Sequence, residues 1–127
     1  MSDTHTDALR ELAGQLEPIF RSSPDGVYIW IDEENKTCNE NMAAMFGMTV
    51  EEWEIAPTFL GTFVDEEDQG SFSWNYWNRV APLAFPVTFR FRAKRKDGPR
   101  FAAETDMIPL TFGGHTFAYH FVRKIGD

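Results

Sequence analysis

The sequence predicts an α+β domain: a leading helix, two strands, several short helices and a closing three-stranded meander. Three observations carry this. Val87, Phe89, Phe91 and Ala93 alternate with Thr88, Arg90, Arg92 and Lys94, the period of a half-buried strand. Lys96-Asp97-Gly98-Pro99 and Gly113-Gly114 then cut the last third into strand-length pieces. The middle of the chain carries helix caps and breakers instead of alternation.

Taken in order, Leu9, Leu12, Ala13 and Leu16 follow helical spacing over residues 8–16, with Asp7 as a candidate N-cap. Pro18 suits the first turn of a new helix through Ile19 and Phe20. Ser22-Ser23-Pro24-Asp25-Gly26 is turn chemistry. Val27-Tyr28-Ile29-Trp30-Ile31 reads as a strand apolar on both faces, and Lys36-Thr37-Cys38 as a short second one. Asn39 can cap a helix to Phe46 that Gly47 ends. Thr49-Val50-Glu51-Glu52 has capping-box spacing for a helix carrying Trp53, stopped by Pro57. Phe63–Gly70 holds an acidic turn, Asp65-Glu66-Glu67-Asp68. A helix from Ser71 to about Val80 follows, with Phe72, Trp74, Tyr76 and Trp77. Strands are expected at 87–94, 101–110 and 115–124.

The 127 residues suit one domain, and 43% apolar with 15% aromatic residues exclude wholesale disorder. A net charge of −8 argues against a nucleic-acid partner, whose footprint is a dominant basic face. Residues 1–75 carry net −13 and residues 76–127 net +5, a complement that folding can bring together. No apolar run is long enough to span a membrane. The opening residues show neither a basic nor an apolar signal region, so a cytoplasmic location is expected. Cys38, the single cysteine, excludes an internal disulfide and a cysteine zinc site.

Strand register follows from keeping apolar residues on one side. A three-residue loop at Asp97-Gly98-Pro99 would set Arg92 opposite Glu104, Arg90 opposite Asp106, Phe91 opposite Thr105 and Phe89 opposite Met107. A two-residue Gly113-Gly114 loop sets Met107 opposite His120, Thr105 opposite Val122, Ile108 opposite Tyr119 and Leu110 opposite Phe117. His120 and Ala118 then share the inner face with Phe89 and Phe91. Ile108, Leu110, Phe117, Tyr119 and Phe121 form an outer face too apolar for water. The N-terminal helix, through Leu9, Leu12 and Leu16, or a second subunit must cover it.

Four local motifs resemble the PAS sensor fold: Ile19 to Tyr28, Cys38 to Gly47, Phe63 to Asp68, and Phe89 to Gly98. The resemblance spans residues 17–125, after a flanking helix over 1–16. It implies a five-stranded antiparallel sheet with short helices across one face. It also implies a non-enzymatic sensory module, signalling through dimerisation and protein–protein contacts, with an effector domain or partner protein elsewhere. The alternative is a sensor that binds an apolar or aromatic molecule, or a non-covalent flavin, between sheet and helices. Haem-binding relatives take an axial histidine from the long helix, and Gly70–Ala84 has none. Flavin and yellow-photoreceptor relatives use cysteines that this chain lacks at the matching places. Haem, a cysteinyl flavin and a cysteine-linked chromophore are therefore not expected.

The expected pocket lining is Met42, Met45, Phe46, Trp53, Trp74, Trp77, Phe89, Phe91 and Met107, with His120 as the polar anchor. Ordinary core packing is the competing account of these residues, and of Cys38 as a small buried hydrophobe. A remote alternative is a cone-shaped isomerase or dehydratase-like enzyme using Asp106 and His120, which the register places on opposite faces.

Overall fold

The computed structural model describes residues 4–80 and 85–125, and only the backbone at 79 and 80. Residues 1–3 of the expected flanking helix lie outside the described residues. The elements run α1 (Thr4–Ser22), β1 (Gly26–Asp32), β2 (Asn35–Cys38), α2 (Glu40–Met45), α3 (Val50–Glu54), α4 (Phe59–Phe63) and α5 (Glu66–Asn75). A π-type turn over Tyr76–Val80 prolongs α5, and β3 (Val87–Lys94), β4 (Arg100–Phe112) and β5 (His115–Lys124) close the fold. The strands form one antiparallel sheet of order β2-β1-β5-β4-β3.

The capping residues act as their chemistry dictates. Asn39 Oδ1 accepts from Met42 N at 2.9 Å and from Val27 N at 3.0 Å. Its Nδ2 donates to Phe20 O and Asp25 O, both at 3.1 Å. One side chain thus starts α2 and ties it to β1 and α1. Thr49 and Glu52 form the reciprocal capping box of α3. Gly47 leaves α2 at φ +75°, a left-handed conformation that costs a residue with a Cβ. At Gly26 a Cβ would meet Met42 Cα at 3.0 Å, so glycine lets α2 lie directly on β1.

Three expectations are corrected. First, Pro18 does not start a new helix: α1 is continuous from Thr4 to Ser22, across the expected boundary at residue 16. Pro18 forfeits one hydrogen bond to Gly14 O. Leu16 and Phe20, on either side of it, pack into the same apolar cluster and keep the halves in line. Second, α5 begins at Glu66 rather than Ser71. Asp65 is its N-cap and Glu66, Glu67 and Asp68 are its first turn, where carboxylates meet the positive helix end. The short helix α4 precedes it.

Third, the β3–β4 register is shifted by two residues. Arg90 faces Glu104, Thr88 faces Asp106, Phe91 faces Ala103 and Phe89 faces Thr105. The connection spans residues 95–99 because Arg95 and Lys96 are spent elsewhere. Arg95 Nη1 donates to Met45 O at 2.9 Å and Lys96 N to Phe46 O at 2.9 Å, pinning the loop to the end of α2. A shift of two preserves which face each side chain takes. The β4–β5 register is as expected, Met107 opposite His120 and Leu110 opposite Phe117.

Two apolar clusters share the sheet. The main one lies between the inner face and α2–α5, around Tyr28, Phe46, Trp53, Phe63, Phe72 and Met107. The second lies on the outer face, where α1 covers it: Ala8 and Leu12 pack with Ile29 and Phe117. Leu12 is 4% exposed and Phe117 fully buried within the single chain. Leu9, Leu16, Leu110 and Tyr119 border this cluster, and Ile108 and Phe121 are half-buried. No helix among the described residues is long and apolar enough to cross a membrane.

Candidate functional site

A cavity of about 210 Å³ opens between the inner face of the sheet and the helices. The sheet supplies Tyr28 and Trp30 from β1 and Ala118 and His120 from β5. These pair directly, Tyr28 opposite His120 and Trp30 opposite Ala118. The β1–β2 turn supplies Glu33, α4 supplies Phe59 and Leu60, α5 supplies Phe72 and Ser73, and the π-type turn supplies Tyr76 and Trp77. The lining is mostly aromatic, with few polar groups, as suits a small-molecule site.

His120 sits at the buried end, 1% exposed. Its Nδ1 shares a short hydrogen bond with Tyr28 Oη, and the rings meet edge-on at 4.8 Å. Its Nε2 is buried without a hydrogen-bond partner. Burial pulls the imidazole pKa down to about 3, so the ring is neutral at ordinary pH. Burial likewise pushes the Tyr28 phenol well up, keeping its hydrogen in place. When Tyr28 donates to Nδ1, Nε2 carries the ring hydrogen and is an unfilled donor; the other tautomer makes it an unfilled acceptor. Either way a buried polar atom faces unspent, which costs free energy that a ligand can recover.

Glu33 is positioned by its own neighbours. Its Oε1 accepts from Trp30 Nε1 at 2.9 Å, and Oε2 accepts from Phe59 N at 3.0 Å. It thereby caps α4, whose Thr58 makes no side-chain cap. Lys36, only 2% exposed, directs its ammonium to the carbonyl oxygens of Glu33 and Ala56 rather than to the carboxylate. Burial lowers the Lys36 pKa.

Of the residues expected to form the pocket, Trp77 and His120 line this cavity. Met42, Phe46, Trp53, Phe91 and Met107 are packed in the main core, with Met45 and Phe89 at its edge. Trp74 is 53% exposed. The other lining residues, Tyr28, Trp30, Glu33, Phe59, Leu60, Phe72, Ser73, Tyr76 and Ala118, lie outside the expected set. No sequence signal marks Tyr28 and Trp30 as inward, because Val27–Ile31 is apolar on both faces and its pairing with β5 is tertiary.

Cys38 and Asn39 border a second, more polar cavity of about 320 Å³ near Glu17, Arg21 and Asn41. Arg21 is paired there with Glu17, and burial raises the Cys38 thiol pKa. Asp106 lies across the sheet from His120. It accepts from Arg123 Nη2 at 2.9 Å and from Thr88 Oγ1 at 2.8 Å, and Arg123 holds its pKa down. The register sets Asp106 opposite Phe121 and Met107 opposite His120, so Asp106 and His120 lie on opposite faces of the sheet.

No family model matches the sequence, and no curated protein matches it. Solved structures do. The PAS domain of a two-component sensor histidine kinase is 17% identical over 91% of this chain and 98% of its own, with a TM-score of 0.68. The PAS domain of an HTR-like protein from Haloarcula marismortui is 22% identical over 92% and 94%, at 0.63. A LOV protein from Rhodobacter sphaeroides is 13% identical over 100% of this chain and 70% of its own, at 0.69. With the strand order and intervening helices already described, these likenesses establish that the chain has the PAS fold.

Proposed function

We propose that this chain is the sensory module of a signalling protein, binding a small molecule in the aromatic cavity and passing the event through β5 to α1. The observation that carries the reading is the unpartnered Nε2 of His120 in a mostly aromatic cavity. β5 supplies the route. Ala118 and His120 face the cavity, while the residues between and before them, Tyr119 and Phe117, pack toward α1. A ligand that shifts His120 therefore acts on the strand that α1 grips. The neighbours include a sensor histidine kinase, which supports the same reading.

Native mass spectrometry tests it, joined to thermal shift with small aromatic and apolar compounds. Bound mass lost on denaturation, or a concentration-dependent rise in Tm, is the expected result. A protein without bound mass, stabilised by no compound, overturns it.

Dimerisation through the outer face is a companion reading. Ile108 and Phe121 remain half-buried on the outer face, and Ile19 on α1 is 39% exposed. The same spectrum reports subunit number. A monomer at every concentration removes this reading.

A further inference from the structure

Resting on the ligand-binding reading, we infer that the cavity takes a small organic cation, specifically a methylated ammonium. Trp30, Tyr76 and Trp77 stand at right angles in succession at the cavity's open side. The Trp30 and Tyr76 rings are 5.5 Å apart at 81°, and Tyr76 and Trp77 are 5.1 Å apart at 81°. Two perpendicular pairs in succession set three rings along one side of the cavity, a lining that suits a cation held against aromatic faces. Trp77, 64% exposed, stands at the mouth.

Glu33 adds a carboxylate to this lining. Among the described residues no cation forms a salt bridge with it; the Lys36 ammonium, held on carbonyl oxygens, acts on it only through space. Its position beside Asp32 and Glu34, in a half of the chain with net charge −13, favours entry of positive charge. An apolar molecule would gain nothing from the negative charge of this carboxylate.

Methylation follows from the shortage of acceptors. Both Glu33 oxygens already accept from Trp30 Nε1 or Phe59 N. A primary ammonium would bring three N–H donors into an aromatic site with few acceptors to meet them. A quaternary ammonium needs none and spreads its charge over methyl groups that pack on ring faces. His120 Nε2, at the buried end, is left for a hydroxyl or other polar tail.

The test titrates the intact protein with three probes, following tryptophan emission and calorimetric heat: choline, its neutral isostere 3,3-dimethylbutan-1-ol, and ethanolamine. Choline should bind saturably and about tenfold more tightly than either of the others. Glu33→Gln keeps an acceptor for Trp30 and Phe59 but removes the charge, and should abolish the preference for choline over the isostere. Trp77→Leu, at an exposed position, should weaken choline several-fold while leaving the circular dichroism spectrum and Tm unchanged. Equal or tighter binding of the isostere overturns the cation while leaving the cavity reading intact. Tighter binding of ethanolamine overturns methylation. If choline fails to bind at millimolar concentration, the inference falls, and the broader reading still stands or falls on the compound screen. A Glu33→Gln protein that retains the full preference places the cation elsewhere and also overturns it.

Discussion

Acidification should destabilise this protein through one residue, His120. The ring is 1% exposed, its Nδ1 is bound to Tyr28, and its Nε2 has no partner. The imidazole pKa is therefore about 3 in the folded chain, against about 6.5 when unfolded. As pH falls below 6.5 the unfolded chain takes up a proton that the folded chain refuses. Stability then drops by about 1.4 kcal/mol per pH unit, a slope that continues until the folded-state pKa is reached. Between pH 7.5 and 5 the loss from this residue is about 2 kcal/mol. The assay is urea unfolding followed by tryptophan fluorescence at several pH values, for the wild type and His120→Gln. The variant changes this side chain alone, so the contributions of all other groups cancel in the difference. The gap between the two stability curves should close by about 2 kcal/mol over that range. Curves that run parallel would show that His120 protonates equally in both states, and the buried neutral ring would be wrong.

Other perturbations probe the scaffold. Leu12→Ala removes the most buried leucine of α1 from its contact with Ile29 and Phe117 and should cost about 2–4 kcal/mol by urea denaturation. A cost below about 0.5 kcal/mol, the level of an exposed substitution, would mean that α1 is not docked there. Asn39→Ala strips four hydrogen bonds from the junction of α1, β1 and α2 and should cost about 2–3 kcal/mol, read from the same transition. Gly47→Ala forces a Cβ into a left-handed residue, 2.9 Å from Arg95 Nη2, and should lower stability by about 1 kcal/mol or more. A neutral or stabilising result at Gly47 would contradict the positive φ.

The elements legible in the sequence were those fixed by local chemistry. Asn39 and Thr49 announce their helices because a cap acts within three residues. The Gly113-Gly114 pair sets the β4–β5 register because both glycines take positive φ in the tight turn. The β3–β4 register differs from the expectation because its loop is held by α2, through Arg95 and Lys96, over some fifty residues of intervening sequence. Pro18 signals a break in local sequence, whereas the outer cluster that carries the helix across it is tertiary. The same limit applies to the cavity. His120 could be placed on the inner face from strand parity, but its neighbours arrive from β1, α4 and the turn after α5. Val27–Ile31 is apolar on both faces, which hides which of its residues look inward.

The pairing of β1 with β5 has a consequence for how the molecule assembles. Gly26 lies opposite Val122 and Tyr28 opposite His120, so the centre of the sheet joins segments more than ninety residues apart. Closing so large a loop costs entropy before any contact repays it, which slows folding. During synthesis β1 and β2 leave the ribosome with one edge unpaired until β5 follows. The aromatic cavity cannot exist before that moment, because Ala118 and His120 are the last of its walls to be made.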